Sequence, residues 1–191
     1  MMKWKEYKLD DIFKKVNTKK IPLQKRDCPV YPTNQYSIPA RTAATENQGL
    51  SCYVPAASCT VLNNKLSVSA NGNFCVFWQD SDFTILQDAY ALDGKGFELS
   101  EDIALYFITV LMFFFSEKYD WNNKAGWEKL KNETIPLPVK EDSLGYKTPV
   151  DEIDWEYIQN YIKEIKEIYY TQLKRYAKQV FPDMEKAKAS A

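Results

Sequence analysis

The run Ile135-Pro136-Leu137-Pro138-Val139 constrains this chain more than any other stretch. Each proline locks its own φ and pushes the preceding residue out of helical backbone, so the run has to be extended. Its side chains are apolar, yet the segment leading into it, "NNKAGWEKLKNET" (122–134), is rich in amides and lysines. A polar loop therefore runs straight into a rigid apolar strap.

The rest of the chain divides by texture. "WKEYKLDDIFKKV" (4–16) spaces its apolar residues roughly as a helix does and predicts a short helix or helical turn. Between about 20 and 97, short apolar runs follow one another: "SCYVP" (51–55), "CTVL" (59–62), "KLSVSA" (65–70), "FCVFWQ" (74–79) and "FTILQ" (83–87). They are separated by "NQG", "NN" and "NGN", which is turn chemistry, so this region is predicted to be a curled β-sheet. "IALYFITVLMFFF" (103–115) holds 13 residues, too few to span a bilayer, and reads as a buried helix with Ser100 as N-cap. A second short helix is expected near 124–131. The longest helix is expected over about 150–181, with Thr148 as N-cap, Pro149 in the first turn and a stop at Phe181-Pro182. Along it Ile158, Ile162, Ile165, Tyr169, Leu173 and Tyr176 form a seam that steps by three and four. Such a seam suits a partner helix, or one helix lying along its own domain.

At 191 residues the chain suits one domain with an appendage. The net charge of −1 gives no global attraction to nucleic acid or membrane, but it hides an asymmetry. Residues 1–26 are lysine-rich and residues 151–167 are acidic, which allows a basic face for a polyanion or simply a solvated surface. Cys28, Cys52, Cys59 and Cys75 include no CxxC pair, and the chain has no histidine. Clustered zinc ligands are therefore missing, and reduced thiols in a cytoplasmic protein are expected. Because Met1 to Asp11 is polar and charged, no signal peptide is expected. Without histidine no Ser-His or Cys-His dyad can form, and neither a Walker loop nor GxGxxG occurs. The expectation is a binding protein without catalysis, cofactor or metal.

Several stretches together resemble the target-recognition domain of type I restriction–modification specificity subunits. "WKEYKLDDIFKKV" is similar to the family's opening element, and "IPARTAATENQGLSCYVP" (38–55) to its strand, polar loop, turn and second strand. "NNKLSVSANGNFCVFWQDSDFTILQDAYAL" (63–92) resembles its hairpin and the strands that follow. "KAGWEKLKNETIPLPV" followed by "WEYIQNYI" resembles its ending, where a lysine-rich loop and a Leu-Pro strap lead into a long spacer helix. The likeness covers about residues 4–180. It implies an α+β fold in which a curled mixed β-sheet recognition domain (1–147), with short helices, precedes one long coiled-coil-type helix (148–182) and a polar tail (183–191). The strap would anchor the end of the domain and hold the polar loop near DNA. Specificity subunits of this family generally carry two recognition domains and two long helices, whereas this length has room for one of each. Half-subunits of that kind pair head-to-tail through their helices. A complete half-subunit, a truncated product and a separate domain all fit.

The resemblance implies double-stranded DNA, a methyltransferase subunit and a restriction subunit as partners, and a homodimer through the C-terminal helix. Arginine matches guanine O6/N7, and asparagine or glutamine matches adenine N6/N7, in the major groove. Candidate contacts in turns are Arg41, Thr42, Thr45, Asn47 and Gln48 in the first loop, and Asn71, Asn73 and Gln79 in the hairpin. The last loop adds Asn122, Asn123, Lys124, Trp127 and Lys129. Arg41 stands out as the one arginine between Arg26 and Arg175, in a polar loop. Lys124 and Lys129 would touch phosphates. Plainer roles stay open: Asn47 and Asn71 as left-handed turn residues, Gln79 as an edge residue and Trp127 as a packing residue. Alternatives from other classes are a protein-interaction module using its aromatic surface and long helix, and an uncharacterised small enzyme.

Overall fold

The computed structural model describes residues 2–23, 25–141 and 148–181. The tail from 183 and the junction at 147 therefore lie outside the described residues. Strand β1 (Lys3–Lys8) leads into a one-turn helix α1 (Leu9–Ile12) and then β2 (Phe13–Lys15). The helical reading of 4–16 thus survives as a single turn. Tyr7, Leu9, Ile12 and Phe13 are buried, Leu9 and Ile12 from the turn itself and Tyr7 and Phe13 from the extended backbone on either side of it. Pairing with distant strands supplies the backbone hydrogen bonds there, which outweighs local periodicity.

The middle of the chain is β as expected. β3 (Ile38–Arg41), β4 (Leu50–Val54), β5 (Lys65–Ser69), β6 (Val76–Gln79), β7 (Thr84–Ile85) and β8 (Ala89–Gly94) follow in order. "CTVL" forms no strand; only Leu62 bridges to Phe83. The strands join in a four-stranded sheet, β2-β8-β5-β6, and a three-stranded one, β4-β3-β7, in which β3 and β7 are parallel. Helix α2 (Glu101–Phe115) follows, with the Ser100 hydroxyl accepting from the Ile103 amide at 3.4 Å. Ile103, Ala104, Phe107, Leu111 and Phe115 face the core. α3 (Trp127–Leu130) is one turn long.

The strap is strand β9 (Thr134–Val139), antiparallel to β1. Its parity explains the prolines. The Pro138 carbonyl accepts from the Asp154 amide and the Lys140 amide donates to the Glu152 carbonyl, so even-numbered residues turn their backbone polar groups away from β1. Pro136 and Pro138 occupy that side, where their missing N–H costs the β1 ladder nothing. Ile135, Leu137 and Val139 are buried, each contributing about 1.5–3 kcal/mol of apolar burial. β1 and β9 thereby tie the two ends of the domain together.

The expected long helix comes in two pieces. α4 (Pro149–Glu152) starts at Thr148 in a capping box with Asp151, and α5 (Trp155–Val180) starts at Asp154, whose carboxylate accepts from the Tyr157 amide at 2.9 Å. Ile153 breaks the helix with extended backbone because it bridges to Val139 of the strap. The seam divides as well. Ile158 and Ile162 are buried in the main core with α2, so they serve the domain itself and are not open to a partner helix. Trp155 stacks on Phe97 at 4.3 Å, and Lys166 reaches Asp102 at 2.7 Å and Glu101 at 3.1 Å. Beyond that ion pair Ile165, Ile168, Tyr169, Leu173, Tyr176 and Val180 are exposed. The last three to four turns, roughly 20 Å, therefore project past the body. Among the described residues no helix is long and apolar enough to cross a membrane.

Candidate nucleic-acid interface

Three connections converge on one edge of the sheets. The first is the loop between β3 and β4. A β-bulge sets Ala40 opposite Cys52 but Arg41 opposite Leu50, and it tucks the Arg41 side chain beneath the loop. Arg41 is only 8% exposed, and its guanidinium donates to the Asn47 carbonyl at 3.2 Å. Its Nε has no partner among the described residues, and burial lowers its pKa from the ordinary arginine value, opposed by Tyr53 and Asp80. Asn47 and Gln48 take left-handed backbone, and Gly49 follows at φ +76°. A Cβ on Gly49 would meet the Thr42 carbonyl oxygen at 2.9 Å, so the loop can close only on glycine. The Thr42 amide closes it on the Gly49 carbonyl at 2.9 Å, and the Thr42 hydroxyl donates to the Gln87 carbonyl at 2.9 Å. Thr45, Glu46, Asn47 and Gln48 are left at the exposed tip.

The second connection is the β5–β6 hairpin. Gln79 is 1% exposed; its amide donates to the Ser67 hydroxyl at 3.0 Å and to the Gln48 carbonyl at 3.2 Å. It is a strut between hairpin and first loop. Asn71 donates to the Asp88 carboxylate, which fastens the hairpin to the turn before β8. Asn73 remains exposed at the tip.

The third is the loop after α2. The Asp120 carboxylate accepts from the Asn122 and Asn123 amides, both at 2.7 Å. The Asn123 side chain donates to the Lys118 carbonyl and accepts from Lys129, again at 2.7 Å. At its base Glu133 meets Lys118 at 2.7 Å and the Tyr119 hydroxyl at 2.6 Å. Partial burial raises the Glu133 pKa, but these two hydrogen bonds outweigh it and hold the carboxyl below its ordinary value. Trp127 packs inward against Tyr90, whose hydroxyl donates to the Ala125 carbonyl at 2.9 Å. Lys124 is exposed.

The expected contact residues thus separate. Arg41, Gln79 and Trp127 are buried scaffold, and Asn71 and Asn123 hold their loops in shape. Thr45, Asn47, Gln48, Asn73, Asn122, Lys124 and Lys129 are exposed, with Thr42 half-buried at the loop's root. Trp121 was not among the expected contacts. It is 69% exposed, lies against Gly72, and closes a cleft of about 270 Å³ with Ala43–Glu46 and Asn73. The one signal for it in the sequence was Asp120 before two asparagines, an Asx-type turn that puts the intervening residue at a tip. A larger cleft of about 650 Å³ beside Lys14 and Lys65 has both lysines paired with Asp93, at 3.4 and 3.1 Å. Lys5 is likewise engaged with Glu152, so part of the N-terminal positive charge is neutralised within the domain.

These loops stand on an open α+β frame, and comparison with known proteins supplies its family. Residues 1–175 match the family model described as type I restriction modification DNA specificity domain, and the chain belongs to that family. A chain from the assembly described as the structural basis of complex assembly and conformational transition of the type I R-M system superposes with a TM-score of 0.55. It is 14% identical, over 98% of this chain and 44% of that one. The HsdS subunit from Thermoanaerobacter tengcongensis gives 0.52 at 15% identity, over 95% of this chain and 41% of its own. The S subunit from M. genitalium gives 0.48 at 16% identity, over 72% and 35%. The chain therefore spans less than half the length of the solved chains it resembles. No curated protein matches it.

Proposed function

We propose that this chain reads one half of a bipartite DNA target and directs an associated adenine methyltransferase, with a restriction subunit where one is present, to that site. It contributes no catalytic group of its own. The observation that carries the reading is the division of labour in the three loops. Buried Arg41 and Gln79, together with the exposed Asp120 turn, hold the backbone in place, and short polar side chains stand free on one edge. Such tips suit base edges, while Lys124 and Lys129 suit phosphates. Arg41 acts here as a positioning residue beneath the loop. Residues 1–147 together with the first turns of α5 form the recognition unit. The exposed stripe Ile165, Tyr169, Leu173 and Tyr176 pairs with a second long helix, from another copy or another recognition domain, and sets half-site spacing.

The test is a genome-wide map of methylated adenines in the source cell, with and without this gene. Loss of one bipartite motif supports the reading; survival of every motif overturns it. A palindromic motif means two copies act together, and an asymmetric one means a different half. The alternative, a protein-interaction module, shares the exposed α5 stripe but requires no DNA affinity. A steep fall in duplex binding with added salt counts against it.

A further inference from the structure

We propose that the cleft between residues 43–46, the Gly72-Asn73 turn and Trp121 takes the major-groove edge of one A·T base pair, with Trp121 as a specificity-determining residue. This rests on the DNA reading above and names what that site recognises. A large indole left 69% exposed is normally a mobile, costly surface feature, yet here both sides of the cleft are built. On the Trp121 side, Asp120 accepts from two successive loop amides and Asn123 ties the loop back to Lys118 and Lys129. The indole also rests on Gly72, where an added Cβ would meet its ring carbons at 3.2 Å. On the opposite side the first loop is held from below by Arg41 and Gln79. The side chain is therefore preorganised before any ligand arrives, which lowers the ordering cost of binding.

The lining specifies the ligand. Ala43, Ala44 and the indole offer an apolar wall, Asn73 offers a forked donor and acceptor, and Glu46 offers a carboxylate. Among the described residues no cation lines the cleft, and Glu46 repels phosphate oxygens, so a backbone contact is disfavoured there. Glu46 opposes the guanine acceptors O6 and N7 but suits the amino donor of cytosine N4 as well as that of adenine N6, so the base pair is chosen by the apolar wall and Asn73. An A·T pair answers those two. The thymine methyl meets the alanines and indole, and adenine N6 and N7 meet the Asn73 amide.

The experiment is the methylated-adenine map repeated in cells carrying Trp121→Ala, Trp121→Phe or Asn73→Ala at the native locus, beside the deletion. Trp121→Ala and Asn73→Ala are expected to relax the motif at one A·T position. Sites with G·C there should gain methylation roughly tenfold relative to wild type, and Trp121→Phe should retain most of the preference. Thermal unfolding of the purified variants should be unchanged, which separates lost contact from lost fold. A motif that disappears on deletion but is identical in Trp121→Ala and Asn73→Ala overturns the cleft alone. Uniform loss of methylation without a change of motif, or relaxation at a G·C position, also overturns it. If deletion removes no motif, the DNA reading falls and the cleft falls with it.

Discussion

Trp127 and Trp121 stand in the same loop after α2, and the fold uses them in opposite ways. Trp127 is 9% exposed, packed against Tyr90 and inside the main core, whereas Trp121 is 69% exposed at the loop's tip. The difference lies in the backbone each belongs to. Trp127 opens the one-turn helix α3, where it and Leu130 are buried in the main core. Trp121 follows Asp120, whose carboxylate ties down the next two amides and turns the intervening side chain outward. Identical residue chemistry serves as anchor in one place and as contact surface in the other.

The sharpest way to break this contrast is truncation at both sites. Trp127→Ala should destabilise the chain by about 3–5 kcal/mol, read as a shift in the denaturant midpoint, because it empties a packed site. Trp121→Ala should change stability by less than about 0.5 kcal/mol. If the two costs are similar, the anchor-and-surface distinction is wrong. The helix α5 carries the same contrast along its length. Ile158→Ala should cost about 2–4 kcal/mol, while Leu173→Asp should leave unfolding unchanged and abolish concentration-dependent association in sedimentation.

Gly72→Ala is expected to cost about 1–2 kcal/mol, since its φ of +75° is the left-handed region, and also to displace the indole lying against it. A shift in tryptophan fluorescence absent from Trp121→Phe would report that displacement. The smallest effect concerns acid. Lys5 holds the Glu152 carboxyl below its ordinary pKa, against the opposing effect of burial, and Lys118 and Tyr119 do the same for Glu133. A depressed carboxyl contributes stability that is fully present at neutral pH and disappears as pH falls through its folded-state value. The melting temperature should therefore drop more steeply below the ordinary carboxylate range in wild type than in Glu133→Gln.

Much of the frame was readable from residues. The Pro-alternating strap had to be extended, Ser100 had to cap a buried helix, and "NQG" and "NGN" had to be turns. The strands β1 and β2 on either side of α1 escaped because Trp4, Tyr7, Leu9 and Ile12 carry a helical spacing that strand pairing overrides. The broken start of the long helix escaped because Ile153 bends for Val139, a residue on the strap. Among the expected contacts, polarity in a turn could not distinguish side chains that hold a loop, such as Arg41 and Gln79, from those that stand free of it, such as Asn73.

Local chemistry by itself determined where this backbone extends, turns and coils, because proline, glycine, asparagine and capping residues act within a few positions. It also determined that no histidine-based catalysis is open to the chain. Only the tertiary structure decided which polar side chains are struts, which half of the long helix is surface, and that Trp121 shares a cleft with Ala43 and Asn73. Those outcomes depend on residues far apart in the chain meeting in space, and no spacing along the chain encodes that directly.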